Sequence, residues 1–335
     1  MKVIHFDLGR TFRGGQRQLH LLAAEQRRRG GQPTVVTASP RLADLLTTDD
    51  IPAVRVGPNP LLALPRLRRL VGASDLVHAH DARAHGLVRT LSSRRPIVVH
   101  RRIDDPPRDR VTTRWKYAAG DFVCVSAAVS EALGAFGVPS ERRHVVHSGV
   151  PEAPAAVPAV GQPSSPLRLV ALGALVPHKG HADLLAALEA VPDVTLDIVG
   201  DGPLRASLES SSVASRVRFL GDPRGRLPDW SAYDLLVHPS RTEGLGTAVL
   251  DAQAAGLPVL ATRAGGLPEA VSPDGWLVAP RSPDALAAGL GDVLSRRAEL
   301  PARGRRARAW VRGRFSIARM ADGVDAVYAR VSSTR

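Results

Sequence analysis

Residues 234–259 read DLLVHPSRTEGLGTAVLDAQAAGLPV. An apolar, strand-like opening runs into a turn carrying Gly244 and Gly246, and the stretch beyond it has helical character until Gly256 and Pro258 stop it. Strand, tight turn and helix form the repeating unit of a parallel α/β sheet. Glycines in such a turn let the backbone approach a ligand closely, and the unpaired N–H groups of the first helical turn attract anions. Glu243 stands in the turn, and a second carboxylate, Asp251, follows inside the helix.

The same alternation extends in both directions. KVIHFDL, LVHAH and FVCVS, all before residue 150, are each followed by a segment of helical spacing. After residue 166 the pattern restarts with LRLVALGAL, VTLDIVG, RVRFLG, DLLVHPS and LPVLATR. Between the two series lies PEAPAAVPAVGQPSSP, residues 151–166, whose five prolines read as a linker. The expected fold is α/β, with two doubly wound Rossmann-like domains facing each other across a cleft, because such sheets bind ligands beyond the carboxyl ends of their strands. The expected boundaries are 1–160 for the first domain, including the linker 151–166, and 161–312 for the second. A closing helix over 313–335, with Ile317, Met320, Val324 and Val327 on one stripe, completes the chain.

Composition narrows the function. With 335 residues, 44% hydrophobic and 23% charged, the chain has material for two cores. The formal charge of +13 is uneven, since 24 of the 45 bases but only 14 of the 32 acids fall in residues 1–160. Aromatics at 4%, with neither a recognition helix nor a zinc module, argue against a nucleic-acid partner. No apolar run is long enough to span a bilayer, and MKVIHFDLGRTFRGG breaks off too early for a secretory leader, so the cytoplasm is the expected compartment. Residues 61–72, LLALPRLRRLVG, mix leucines with Arg66, Arg68 and Arg69. They read as an amphipathic helix packed on the sheet, or as a peripheral patch touching an acidic acceptor or the anionic lipid of the membrane's inner face. Cys124, inside FVCVS, reads as a small buried hydrophobe.

Only three lysines occur, Lys2, Lys116 and Lys179. Lys179 precedes Gly180 in the loop after LRLVALGAL, which suits it to bind phosphate. Gly173 through Lys179-Gly180, Gly200-Asp201-Gly202-Pro203, Glu243 and Gly265-Gly266-Leu267-Pro268-Glu269 follow one another in the order found in family 4 of the retaining glycosyltransferases. The second half of the chain resembles that family, which has the GT-B fold. Gly14-Gly15-Gln16 resembles its glycine-rich first loop, and the closing helix over 313–335 resembles the one that crosses back onto the first domain, so that the likeness runs along nearly the whole chain.

The resemblance implies a metal-independent enzyme that moves a sugar from a nucleotide-diphosphate donor to an acceptor hydroxyl, with a glycan or glycolipid of the cell envelope as acceptor. It implies that Glu243 holds the donor sugar's hydroxyls, with the amides of Gly244, Leu245, Gly246 and Thr247 nearby. Lys179, in the loop of Gly173 and Gly180, would pair with the diphosphate, and Gly202 belongs to the neighbouring turn. His80 would stand near the donor's reacting carbon, and Asp251 would bind the ribose. Two positions depart from the family: Asp251 stands where Glu is usual, and Ala174 where Arg is common. Arg101, Arg102, Arg241 and Arg263 are the candidates to supply the missing cation.

Competing constellations are weaker. His78, His80 and His85 suggest metal, but no third ligand is placed beside the first two and no D-x-D occurs, so no metal and no separate cofactor are expected. A dinucleotide fingerprint fails because Arg205 stands where the third glycine is needed, and the G-x-S-x-G of an esterase elbow is absent. The alternatives are a nucleotide-sugar epimerase of the same fold and a relative that binds a glycan or a protein partner without chemistry.

Overall fold

The computed structural model describes residues 1–57, 59–91, 95–152, 166–222 and 226–333. The linker expected at 151–166 therefore lies almost wholly outside the described residues. The chain divides into two compact units, Met1–Gly149 with Ile317–Arg335, and Val150–Ser316.

The first unit is built on a sheet of seven strands among the described residues: β1 (Lys2–Asp7), β2 (Gln32–Thr37), β3 (Ala53–Arg55), β4 (Leu76–Ala79), β5 (Ile97–Arg101), β6 (Asp121–Cys124) and β7 (Arg143–Val145). They lie in the order β3-β2-β1-β4-β5-β6-β7, and every pair is parallel. The second sheet holds β8 (Leu167–Leu172), β9 (Val194–Val199), β10 (Val217–Gly221), β11 (Leu235–His238), β12 (Val259–Thr262) and β13 (Trp276–Val278), in the order β10-β9-β8-β11-β12-β13, again all parallel. In both sheets the first strand pairs with the second on one side and the fourth on the other. The loops leaving β1 and β4, and those leaving β8 and β11, consequently part company at a topological switch point, where open α/β sheets hold their ligands.

Burial follows the strand pattern. All four residues of β4, β11 and β12 are buried, as strands covered on both faces require. The second core gathers Leu169, Ala171, Leu196, Ile198 and Val237 under Leu184, Leu188, Leu286 and Leu290 from the helices His181–Glu189 and Pro283–Ser295. In the first unit, Val3, Leu76, Val98 and Val123 meet Met320, Val324, Val327 and Tyr328 of the last helix, Ile317–Ser333. That helix begins at Ile317 because residues 313 and 314 still belong to the helix before it, Leu300–Arg314. The helix Leu64–Gly72 buries Leu67 and Val71, while Arg66, Arg68 and Arg69 are exposed. Cys124 is fully buried and its thiol is pushed up to about 12 by desolvation, so it behaves as the expected small hydrophobe.

The interior holds an unusual number of imidazoles. Burial pushes His5, His85 and His181 from their ordinary value of 6.5 down to about 4, and holds His78, His80 and His100 well below it. Unfolded histidines take up protons near pH 6.5, and these folded ones refuse them until lower pH, so stability is lost as pH falls through 6.5. Each of the three with a value near 4 contributes a loss of about 2 kcal/mol between pH 7 and pH 5. Asp7, raised to about 6 by burial, opposes this by roughly 1 kcal/mol over the same interval. The urea midpoint is expected to drop steeply from pH 7 to pH 5, and a flat or rising midpoint would contradict the burial of neutral imidazoles.

Candidate functional site

At the switch point of the second sheet four loops interlock. The first leaves β8 and carries Gly173, Lys179 and Gly180. Its Gly173 N–H donates to Val199 O (3.0 Å) and its Leu175 N–H to Asp201 O (3.0 Å), which seats the turn containing Gly202 against it. The second leaves β11 and carries Glu243. There Arg241 N–H donates to His178 O (2.8 Å), and Gly266 N–H of the third loop donates to Glu243 O (2.9 Å). Gly180 adopts φ +69° with its α-carbon packed so closely that an added β-carbon would lie 2.0 Å from Pro239 O. The two catalytically promising loops thus touch through backbone, with no room for a side chain.

Lys179 Nζ lies 2.5 Å from Glu243 Oε2, and His238 Nε2 lies 2.9 Å from the same oxygen. Ser240 Oγ donates to it as well, at 3.3 Å. Burial alone would raise the Glu243 carboxyl, but the Lys179 charge and the His238 contact outweigh it and hold the group well below the usual carboxylate range. Glu243 is thereby favoured as an anion, suited to accept hydrogen bonds. Behind the turn, Gly246 at φ +89° opens the helix Thr247–Ala255, and Gly256 at φ +92° closes it. Gly244, Leu245 and Gly246 are buried, and so is Asp251, at 4% exposure.

The four candidate cations separate clearly. Arg241 is committed to Asp183 by two contacts of 2.6 and 2.8 Å. Arg101 donates to Tyr117 Oη and to Asp105 O, and Arg102 donates to His80. Arg263 is exposed just beyond β12, in the second unit. His178 is exposed, whereas His181 is buried.

The switch point of the first sheet brings together the loops after β1 and β4. Asp7 accepts from Gln16 Nε2 (2.9 and 3.1 Å) and from Gly9 N–H (3.1 Å). Gln16 Oε1 in turn accepts from Arg13 N–H (3.1 Å), which fixes the start of the helix Gly14–Arg28 that carries Gly14 and Gly15. Asp81 caps the helix Ala82–Leu91 by accepting from Arg83 and Ala84 N–H. His80, 5% exposed, stands at the carboxyl end of β4 with one ring nitrogen 2.9 Å from His5.

One expectation needs correcting. The third histidine near His78 and His80 is His5, because β1 pairs with β4 and sets His5 opposite His78. One ring nitrogen from each of the three lies within 4.8 Å of the others. His85 is elsewhere, on a helix, against Lys116 O and the rings of Tyr117 and Phe122. Sequence reading missed His5 because its strand partner is 73 residues away. It also missed His238, Ser240 and Asp183, although a histidine ending an apolar strand five residues before Glu243 was a usable signal. Gln253, whose side chain ties the helix Thr247–Ala255 to Ala270 O and Ser272 N–H, gave no such signal.

Two parallel, doubly wound sheets, each with polar loops gathered at its switch point, define the chain as a GT-B protein. A profile of glycosyltransferase family 4 matches residues 12–153 and one described as glycosyl transferases group 1 matches residues 166–296; the chain belongs to the family 4 glycosyltransferases. It is 34% identical over 92 residues to the lipopolysaccharide core biosynthesis glycosyltransferase LpsE of Rhizobium meliloti, a stretch covering 26% of this chain and 27% of that protein. It is 30% identical over 220 residues to the 2-deoxystreptamine N-acetyl-D-glucosaminyltransferase of Streptomyces fradiae, covering 58% of this chain and 50% of that one. The chain thus spans half or less of the length of these relatives. The crystal structure of Anabaena HepE in complex with UDP-glucose matches with a TM-score of 0.84 and 23% identity, over 99% of this chain and 100% of that one.

The close approach at Gly180 is testable. Gly180→Ala combines an unfavourable left-handed conformation, about 1–2 kcal/mol, with a steric conflict at Pro239 O. Chemical denaturation is expected to show a loss beyond that range, and a loss below about 0.5 kcal/mol would show that the loop has room to spare.

Proposed function

We propose that the chain transfers a glycosyl group from a nucleoside-diphosphate sugar to an acceptor hydroxyl, with retention of anomeric configuration. The observation that carries this reading is the Lys179–Glu243 pair at the switch point of the second sheet, beside the N-terminus of the helix Thr247–Ala255. As the glycosidic bond breaks, the sugar takes on oxocarbenium character and the departing diphosphate gains negative charge. A catalyst for that step needs fixed positive potential on the leaving group more than a strong base. Lys179 and the helix N–H groups supply it, and the Glu243 carboxylate accepts hydrogen bonds from the sugar's hydroxyls. Asp251 is assigned the ribose. Arg263 is assigned the place of the missing loop cation, since Arg241 is held by Asp183.

The first unit is assigned the acceptor. UDP-glucose is the first donor to test because HepE, of the same fold, is named as binding it. A glycan or glycolipid acceptor in envelope assembly is supported by the naming of LpsE. No helix among the described residues is long and apolar enough to cross a membrane. Leu61 and Leu62, 57% and 86% exposed, stand beside exposed Arg66, Arg68 and Arg69, and fit a peripheral contact with an anionic lipid surface.

Lys179→Ala and Glu243→Gln are each expected to lower kcat about 10²–10³-fold, in the range found when one transition-state charge stabiliser is removed, with melting temperature near that of the wild type. Wild-type turnover in either variant would refute the assignment. Product formed from the sugar nucleotide without any acceptor would instead support an epimerase, and donor binding without turnover a non-catalytic relative. Binding to phosphatidylglycerol vesicles is expected to weaken with salt and on Leu61→Ser with Leu62→Ser. Binding that ignores both changes would exclude this contact surface.

A further inference from the structure

The first unit contains a run of hydrogen bonds whose direction is fixed from one end. Arg102 Nη2 lies 3.2 Å from His80 Nδ1, and Arg102 Nη1 donates to His80 O at 3.3 Å. A guanidinium carries only donors, and Arg102, lowered to about 10 by burial against the pull of Asp7 and Asp81, is a cation at neutral pH. His80 Nδ1 must therefore accept, which leaves the proton of a neutral imidazole on Nε2. That nitrogen is 2.9 Å from His5 Nδ1, so His5 accepts in its turn and carries its own proton on Nε2. His5 Nε2 then donates to Gln26 Oε1 at 3.0 Å.

We infer that Arg102 is a positioning residue that locks His80 as the neutral Nε2–H tautomer, with both ring nitrogens turned into the protein, so that His80 works as a fixed neutral group and not as a proton acceptor. Geometry leaves no other arrangement. Protonating His80 would set an N–H against the Arg102 guanidinium on one side, with three further imidazoles around it: the rings of His78, His5 and His100 have centroids 4.1, 5.2 and 5.5 Å away. The same ordering weakens the trio of His5, His78 and His80 as a metal site. A metal on His80 Nε2 would require the ring proton to sit on Nδ1, where Arg102 already donates. A proton lost by a substrate hydroxyl must accordingly go to another group than this ring. The relay ends on Gln26, in the helix whose first turn carries Gly14 and Gly15, so the orientation of His80 is tied to that glycine loop.

The inference concerns a protonation state and is read independently of any activity; only its kinetic arm rests on the proposed transfer. Two-dimensional ¹H–¹⁵N spectra correlating the ring nitrogens, assigned with single His→Gln variants, are expected to show His5 and His80 of the wild-type chain as Nε2–H tautomers that do not titrate between pH 5.5 and 8, the order of range over which a free imidazole changes charge. In Arg102→Met the His80 ring, still buried, is expected to lose its single tautomer, while Arg102→Lys, with one point charge in place of the fork, restores the pattern only in part. For transfer, Arg102→Met is expected to lower kcat at least about 10-fold with donor KM little changed. A wild-type His80 found as the Nδ1–H tautomer, or titrating near neutrality, overturns the inference. So does an Arg102→Met chain whose histidine signals match the wild type.

Discussion

Glu243 is a carboxylate largely withdrawn from water, its side chain 15% exposed, and its surroundings keep it charged. Removing a carboxylate from solvent is costly unless charge and hydrogen bonds offset the loss. Here one oxygen draws on Lys179, His238 and Ser240 together. Each partner comes from a different feature of the fold: Lys179 from the loop after β8, His238 from the last position of β11, and Ser240 from the turn. The parallel pairing of β8 with β11 is what lets these groups converge. The Arg241–Asp183 contact and the backbone bond to His178 hold the two loops in register, so the arrangement is over-determined rather than balanced on a single ion pair.

The first sheet repeats the topology with different chemistry. Where the second switch point concentrates opposite charges, the first pairs one cation, Arg102, with neutral imidazoles and a carboxylate of raised affinity for protons. Buried polar groups of this kind are stable only as a connected network. Asp7 satisfies Gln16, Gln16 caps its own helix, and Tyr328 Oη of the last helix lies 2.6 Å from His78 Nδ1.

Much of this was legible in the sequence, for reasons that can be named. β1, β4, β6, β8, β9, β10, β11 and β12 are apolar or β-branched runs bounded by turn residues, and period and punctuation suffice to find them. Others escaped. β2 opens on Gln32-Pro33, β3, β7 and β13 have three residues each, and β5 lies between arginines and a polar loop, so none offers a long apolar run. In the site, motif spacing located Glu243, Lys179 and the glycines because they share loops or short separations. Residues joined only through sheet pairing, such as His5 with His80, could not be found this way. Nor could the fate of each arginine, since Arg241 and Arg102 look alike until Asp183 and His80 are seen beside them.

The final helix has a bearing on how the chain is made. Met320, Val324 and Tyr328 complete the hydrophobic interior of the first unit, and Met320 Sδ accepts from Gly149 N–H, yet all three are synthesised after the whole of the second unit. During translation the second unit can collapse around its own strands while the earlier half still lacks the apolar cover that this helix brings.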